Sequence, residues 1–165
     1  MGISFGSVSK KPYVGSKEVT EAYVGSQLVY KAQKLPYHYV YLGTENAYYI
    51  SDLVTLGTGA AITKPTGATT YKLALSGLTG NSIKINLDPE FVGQRFKFLA
   101  RGTTNGVSID VKFYTSSGLG AESTFNLTTQ ETLKTTKLVT SAETYIEINA
   151  TGQAYFDAMR FEADA

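Results

Sequence analysis

Val107, Ile109, Val111 and Phe113 alternate with Ser108, Asp110 and Lys112, which makes one face of this segment apolar and the other polar. Successive side chains of an extended strand point to opposite faces, so the pattern fits a half-buried antiparallel strand. Arg95-Phe-Lys-Phe98, Ile83-Lys-Ile-Asn-Leu87 and Tyr145-Ile-Glu-Ile148 repeat it. Strands are expected over 37–42, 47–56, 60–63, 69–75, 83–87, 94–101, 107–115, 122–128, 132–139, 144–149 and 153–162, although 153–165 also has the propensity of a short helix. Turn chemistry separates them at Gly80-Asn81, Asp88-Pro89, Asn105-Gly106 and Ser117-Gly118. Asn105-Gly106 carries the strongest hairpin signal, because a type I′ turn needs positive φ at both central residues. It predicts that 94–101 and 107–115 pair directly. Short strands at this spacing fit an all-β chain, a jelly-roll-like antiparallel β-sandwich.

The N-terminal part is organised differently. Tyr13-Val-Gly-Ser-Lys-Glu-Val-Thr20 recurs ten residues later as Tyr23-Val-Gly-Ser-Gln-Leu-Val-Tyr30. Each copy places a Gly-Ser turn signal between short β-rich pairs and reads as a miniature hairpin. A helix over 17–34 is the alternative, and Gly25 and the β-branched residues oppose it. Lys31-Ala-Gln-Lys-Leu-Pro36 reads as a linker. The chain therefore divides into a hairpin-repeat arm, 1–35, and a sandwich, 36–165. An isolated hairpin is marginal in water, so the arm needs a partner. Tyr13, Val14, Tyr23, Val24, Val29 and Tyr30 are its candidate attachment and oligomerisation residues, and a homo-oligomer, most simply a trimer, is expected.

Several function classes lose support at this level. The net charge is +1, and no basic run exceeds Lys10-Lys11, so nucleic-acid binding is not expected. No apolar run approaches the roughly 18 residues of a membrane-spanning helix, and no membrane insertion is expected. Zero Cys removes thiolate nucleophiles and Cys-based zinc sites. The first residues lack a charged segment followed by an apolar one, so no secretory signal is expected. His38 is the one histidine and is expected at the surface; no nucleophile elbow accompanies it. The 14 acidic residues permit a glycosidase-type pair, but no spacing identifies one. A non-enzymatic protein is the expectation.

The repeated Tyr-Val-Gly-Ser unit at 13–31 resembles short hairpins near the N-terminus of tailed-bacteriophage and prophage virion proteins. That resemblance implies a tail, baseplate or head-fibre component located on the virion, bound to other virion proteins. The sandwich resembles jelly-roll carbohydrate-binding modules in its strand count and in the closing Ala154-Tyr-Phe-Asp157-Ala-Met-Arg-Phe161-Glu. This second resemblance implies a body that binds cell-surface glycans, either displayed on a virion or, alternatively, as a free-standing module. Those modules commonly stack sugars on Trp, and this chain has none.

Tyrosine would have to take that role. Tyr37, Tyr39 and Tyr41, with Tyr48 and Tyr49 nearby, are the candidate ligand-binding residues, because tyrosine offers an apolar face and a hydroxyl together. The competing reading places Tyr37, Tyr39 and Tyr41 on one strand face that lines the core edge or a subunit contact. No cofactor is expected, apart from a structural calcium that the second resemblance implies at Asp157. Its further oxygens would come from residues such as Glu45, Asp52 or backbone carbonyls. The competing reading is a hydrogen-bonded or ion-paired Asp157, with Arg160 or Arg101 as its partner.

Overall fold

The computed structural model describes residues 37–164, with Tyr37 by its backbone alone, and the backbone of 13–14, 17–18, 21–24 and 27–31. The chain forms two compact units, Met1–Leu35 and Pro36–Ala165. In the first, β1 (Tyr13–Val14) pairs with β2 (Lys17–Glu18), and β3 (Glu21–Val24) with β4 (Gln27–Lys31), both antiparallel. The described part of 17–34 is thus strand and not helix. The side chains of Tyr13, Val14, Tyr23, Val24, Val29 and Tyr30 lie outside the described residues.

The second unit holds β5 (Tyr37–Gly43), β6 (Tyr48–Ile50), β7 (Val54–Leu56), β8 (Ala60–Thr63), β9 (Lys72–Leu75), β10 (Ile83–Asn86), β11 (Gln94–Gly102), β12 (Ser108–Thr115), β13 (Gly118–Asn126), β14 (Thr132–Leu138), β15 (Glu143–Ala150) and β16 (Ala154–Ala163). A five-stranded sheet has the order β13-β12-β15-β10-β7. A seven-stranded sheet runs β14-β11-β16-β5-β6, and β9, carrying β8 on its far side, also pairs with β16. All pairing in both sheets is antiparallel, and the two sheets make the expected jelly-roll-like sandwich.

The inner faces meet in a core rich in phenylalanine. Phe91 stacks on Phe161 at 4.0 Å, Phe96 lies 5.3 Å from Phe161, and Phe98 contacts Phe125 edge-on at 5.3 Å. Phe98, Phe113, Phe156 and Phe161 are fully buried, together with Ile83, Ile85, Ile109, Val111, Ile146 and Ile148. The Asp88-Pro89 turn is a single 3-10 turn, Pro89–Phe91, whose Glu90 N–H donates to the Asp88 carboxylate at 2.9 Å. It delivers Phe91 to the core.

Two sequence expectations change, while the C-terminal segment is the expected strand and not the alternative helix. Segment 47–56 is two strands in different sheets, β6 and β7, separated by a turn in which the Leu53 N–H donates to Ser51 Oγ. The second change concerns Asn105-Gly106, which is not a hairpin turn: β11 belongs to the seven-stranded sheet and β12 to the five-stranded one. Gly106 has φ +89°, but among the described residues no non-glycine residue, Asn105 included, has positive φ, so a type I′ turn is absent here. Both flanking strands have an apolar face that the core must receive from opposite sides. A corner between sheets satisfies that demand, and the Asn105 side chain instead accepts the Thr129 N–H at 3.1 Å. Ser117-Gly118 does close a hairpin, β12–β13, with Gly118 at φ +121°.

The seven-stranded sheet forks. Strand β16 pairs with β11 along its length, while on its other side residues 158–162 pair with β5 and residues 154–156 with β9. Where β5 and β9 converge, the Tyr71 N–H donates to the Thr44 carbonyl at 3.0 Å, and a Cβ on Gly43 would collide with the Tyr71 carbonyl oxygen. Gly43→Ala is expected to lower stability by about 2–3 kcal/mol, the cost of overpacking against backbone that cannot yield. Urea unfolding followed by circular dichroism measures it; a loss under about 0.5 kcal/mol would show that the fork tolerates a side chain.

Candidate functional site

Each sheet turns one face outward, and the two faces differ in kind. On the five-stranded sheet, register aligns Thr55, Lys84, Glu147, Lys112 and Glu122 across all five strands. Opposite charges alternate along the row, an order that favours the pairing of the strands. Tyr114 and Tyr145 beside it stack on each other at 4.6 Å, with the Lys84 ammonium over Tyr145 at 4.2 Å. Tyr114, Tyr145 and Lys84 are thus already partnered.

The outer face of the seven-stranded sheet has a different pattern. Register aligns Tyr49, Leu42, Ala158, Leu99 and Leu133, one residue from each of five adjacent strands. This apolar row ends in two exposed side chains, Tyr49 at 52% and Leu133 at 49% accessibility. A parallel row on one side holds Tyr39, Arg160, Lys97 and Thr135. On the other side lies Ala61, Ala74, Tyr155 and Arg101.

Between the apolar row and the Tyr155 row sits a charged centre. A bulge in β16 leaves Asp157 unpaired between Leu99↔Ala158 and Ala100↔Phe156, at the point where the sheet forks. The Asp157 carboxylate accepts from Thr70 Oγ1 at 2.7 Å and from Lys72 Nζ at 2.7 Å. Lys72 Nζ also donates to Glu131 at 3.0 Å, and the Lys72 side chain keeps only 10% of its accessibility. Burial by itself would lower the Lys72 value; the hydrogen bonds to Asp157 and Glu131 outweigh it and hold Lys72 above its ordinary range.

The sequence candidates separate on this framework. A second bulge, at Val40, interrupts the β5–β16 register, so Tyr39 pairs with Arg160 but Tyr41 with Met159. Val40 and Tyr41 are both buried, and Tyr39 and Tyr41 do not share one face. Tyr41 is fully buried and can stack on nothing from solvent. Tyr39 remains on the outer face, with the Arg160 guanidinium 5.9 Å from its ring centre. Tyr48 leans on Tyr71 at 5.7 Å at the sheet edge. The backbone of Tyr37 lies opposite Glu162, and its side chain is outside the described residues. His38 is half-buried against Phe91 at 5.8 Å, with Nε2 4.0 Å from Glu90, and not a free surface histidine.

Calcium at Asp157 does not fit. An ammonium bound at 2.7 Å occupies the place where a dication would have to sit, and would repel it. Among the described residues no group of three or more His, Cys, Asp or Glu is arranged to hold a metal. Tyr155, Lys72 and Glu131 escape sequence reasoning, and Arg101, an expected partner of Asp157, lies instead against Tyr155, because pairing between distant strands brings these groups together. The alternation of Tyr155 with Phe156 was the one available signal.

No protein-family profile and no curated protein matches the sequence. Solved structures do share the fold. A variant of the family 29 carbohydrate-binding module CBM29-2 superposes with a TM-score of 0.53 at 9% identity, over 75% of this chain and 89% of its own. The C-terminal family 22 carbohydrate-binding module of Clostridium thermocellum Xyn10B does so with 0.51 at 16%, over 76% and 94%. At these identities the likeness is one of fold.

The Lys72 centre sets two expected outcomes. Chelation with EDTA leaves Tm unchanged, whereas Lys72→Met, which strands two carboxylates, lowers stability by about 2–3 kcal/mol, or Tm by roughly 10 °C. A fall in Tm on chelation would overturn the assignment. Alkali acts on the same region. Burial, with the Asp157 carboxylate adding to it, pushes the Tyr41 hydroxyl well above its ordinary 10.0, and this hydroxyl has no hydrogen-bond partner among the described residues. The unfolded chain therefore releases the Tyr41 proton first, and stability falls as pH rises past about 10. Lys72 acts in the same direction: its contribution is complete below 10.5 and is lost as pH climbs through its higher folded value. Tyr41→Phe is expected to flatten the alkaline fall in Tm without lowering Tm at pH 7.

Proposed function

We propose that residues 36–165 form a non-catalytic glycan-binding module whose ligand lies across the outer face of the seven-stranded sheet. The observation that carries this reading is the apolar row from Tyr49 to Leu133, flanked by the polar groups of Lys72, Asp157, Glu131 and Thr70. A saccharide needs both: apolar surface under its C–H faces, and fixed donors and acceptors for its hydroxyls. Five strands at about 4.8 Å spacing give the row a length of about 19 Å, enough for a short run of sugar units. The fold shared with carbohydrate-binding modules adds support by analogy. The opposite sheet is the poorer candidate, since Tyr114 and Tyr145 already stack on each other and the row across its strands is charged where this one is apolar. No hydrolysis is expected, because Asp157 and Glu131 both spend their charge on Lys72.

Affinity per site should lie in the millimolar to micromolar range. Tyr49→Ala is expected to weaken binding about tenfold with an unchanged circular dichroism spectrum, while Tyr114→Ala on the other sheet leaves binding as it was. Isothermal titration against a glycan panel measures both, and the reverse ranking would move the site to the five-stranded sheet.

The arm supports a second level of this proposal. Two consecutive two-stranded hairpins bearing the Tyr-Val-Gly-Ser repeat are too small to be stable by themselves. We read them as the attachment segment of a phage or prophage virion component that gathers the module into a homo-oligomer and displays it to host-surface glycans. Repetition would raise avidity by roughly 10²–10⁴-fold where geometry permits. The full chain is expected to elute with the mass of a trimer by light scattering. A monomer at micromolar concentration would instead favour a free-standing module.

A further inference from the structure

Arginine occurs three times in this chain, as Arg95, Arg101 and Arg160, and all three stand on the outer face of the seven-stranded sheet. They alternate there with the buried Phe96, Phe98, Ala100, Met159 and Phe161. Two have carboxylate partners: Arg95 Nε donates to Asp164 at 2.7 Å, and Arg160 Nε to Glu162 at 2.8 Å. Arg101 differs from both. The one polar or ring interaction of its side chain among the described residues is with the ring of Tyr155, its register partner on β16, 4.9 Å from guanidinium carbon to ring centre. The acidic residues of the nearby charged centre, Glu131 and Asp157, are bound to Lys72.

A guanidinium resting on an aromatic ring keeps its N–H groups directed outward in its own plane. That edge matches a planar carboxylate, which it grips with two parallel hydrogen bonds, a geometry that an ammonium cannot copy. Beyond Tyr155 the row continues into Ala74 and Ala61, whose small side chains leave room beside the ring. The unspent edge of Arg101 therefore opens onto the same face as the apolar row.

We propose that Arg101, held in place by Tyr155, reads a sugar carboxylate, so that the ligand is a polysaccharide containing uronic acid; this rests on the glycan-binding reading of that face. Tyr155 is a positioning residue in this scheme, and Arg101 is the group that touches the ligand. The carboxylate would take up donors that have no other partner among the described residues, so its pairing breaks no existing bond.

The test uses the full chain and compares polygalacturonate, its fully methyl-esterified form and a sulfated galactan by isothermal titration. Polygalacturonate is expected to bind at least about tenfold more tightly than its ester, the range of a charge-assisted pair of hydrogen bonds. The preference should shrink as salt is raised, because the contact is only partly shielded from solvent. Arg101→Gln should bring the acid-to-ester ratio close to one, and Arg101→Lys should recover only part of it. Tyr155→Leu should lower the same ratio, which general loosening of the fold would leave alone, and its Tm serves as the control. Equal affinity for acid and ester, or a preference that survives Arg101→Gln, overturns the assignment of Arg101 and leaves glycan binding standing. Tighter binding of the sulfated galactan overturns the choice of carboxylate. Absence of binding to these and to a neutral glycan panel overturns both the inference and the function it rests on.

Discussion

A sheet strand with one neighbour on one side and two on the other leaves a gap where those two diverge. In β16 that gap falls at Asp157, and the rest of the seven-stranded sheet is arranged around it. A half-buried carboxylate there demands donors, and Thr70 and Lys72 supply them from the segment entering β9. The same ammonium reaches Glu131 ahead of β14, so one side chain ties the sheet's forked side to its far edge. Bare backbone at Gly43 lets β5 and Tyr71 approach closely enough to close the fork. Each of these contacts presupposes the others, because a bulge without its ion pair would leave a stranded charge.

The sandwich was legible because period-2 alternation is a local signal that survives any tertiary context. Val107 to Phe113 and Arg95 to Phe98 bury the side chains that their pattern marks out. The aromatic composition is explained by the same partition. Among the described residues, phenylalanine fills the core, and tyrosine, whose hydroxyl wants water or a partner, lies at or near the surface, with Tyr41 the exception. What stayed hidden are single-residue insertions. The bulges at Val40 and Asp157 shift the phase of a strand by one, and no propensity announces them. Asn105-Gly106 misled for a related reason: turn chemistry is local, whereas the choice between hairpin and corner belongs to the two sheets competing for apolar faces.

The candidate site was less legible than the fold. Tyr39 and Tyr49 reach the outer face, but the groups that give it chemical character come from four strands or their flanks: Lys72, Arg101, Glu131 and Tyr155. None is unusual in its own stretch of sequence. Their meaning arises from register, which sets Arg101 against Tyr155 and Leu99 against Leu133. The resemblance to sugar-binding jelly rolls pointed to Asp157 and implied a metal there. The lysine on β9 changes the chemistry of that position while the surrounding fold keeps its form.

Strand β16 is the last of the described strands, yet it lies in the interior of its sheet, hydrogen-bonded to β11, β5 and β9. Until residues 154–163 leave the ribosome, those three strands each present an unpaired edge, and Phe96 and Phe98 lack the Phe156, Met159 and Phe161 that cover them. The domain therefore cannot assemble from its N-terminal end as it is made, and closure of the seven-stranded sheet is a late event that joins the two ends of the domain. Such long-range pairing places folding in the slow range of milliseconds to seconds. Through that interval the nascent chain holds open strand edges, and an encounter with another incomplete copy competes directly with its own final strand.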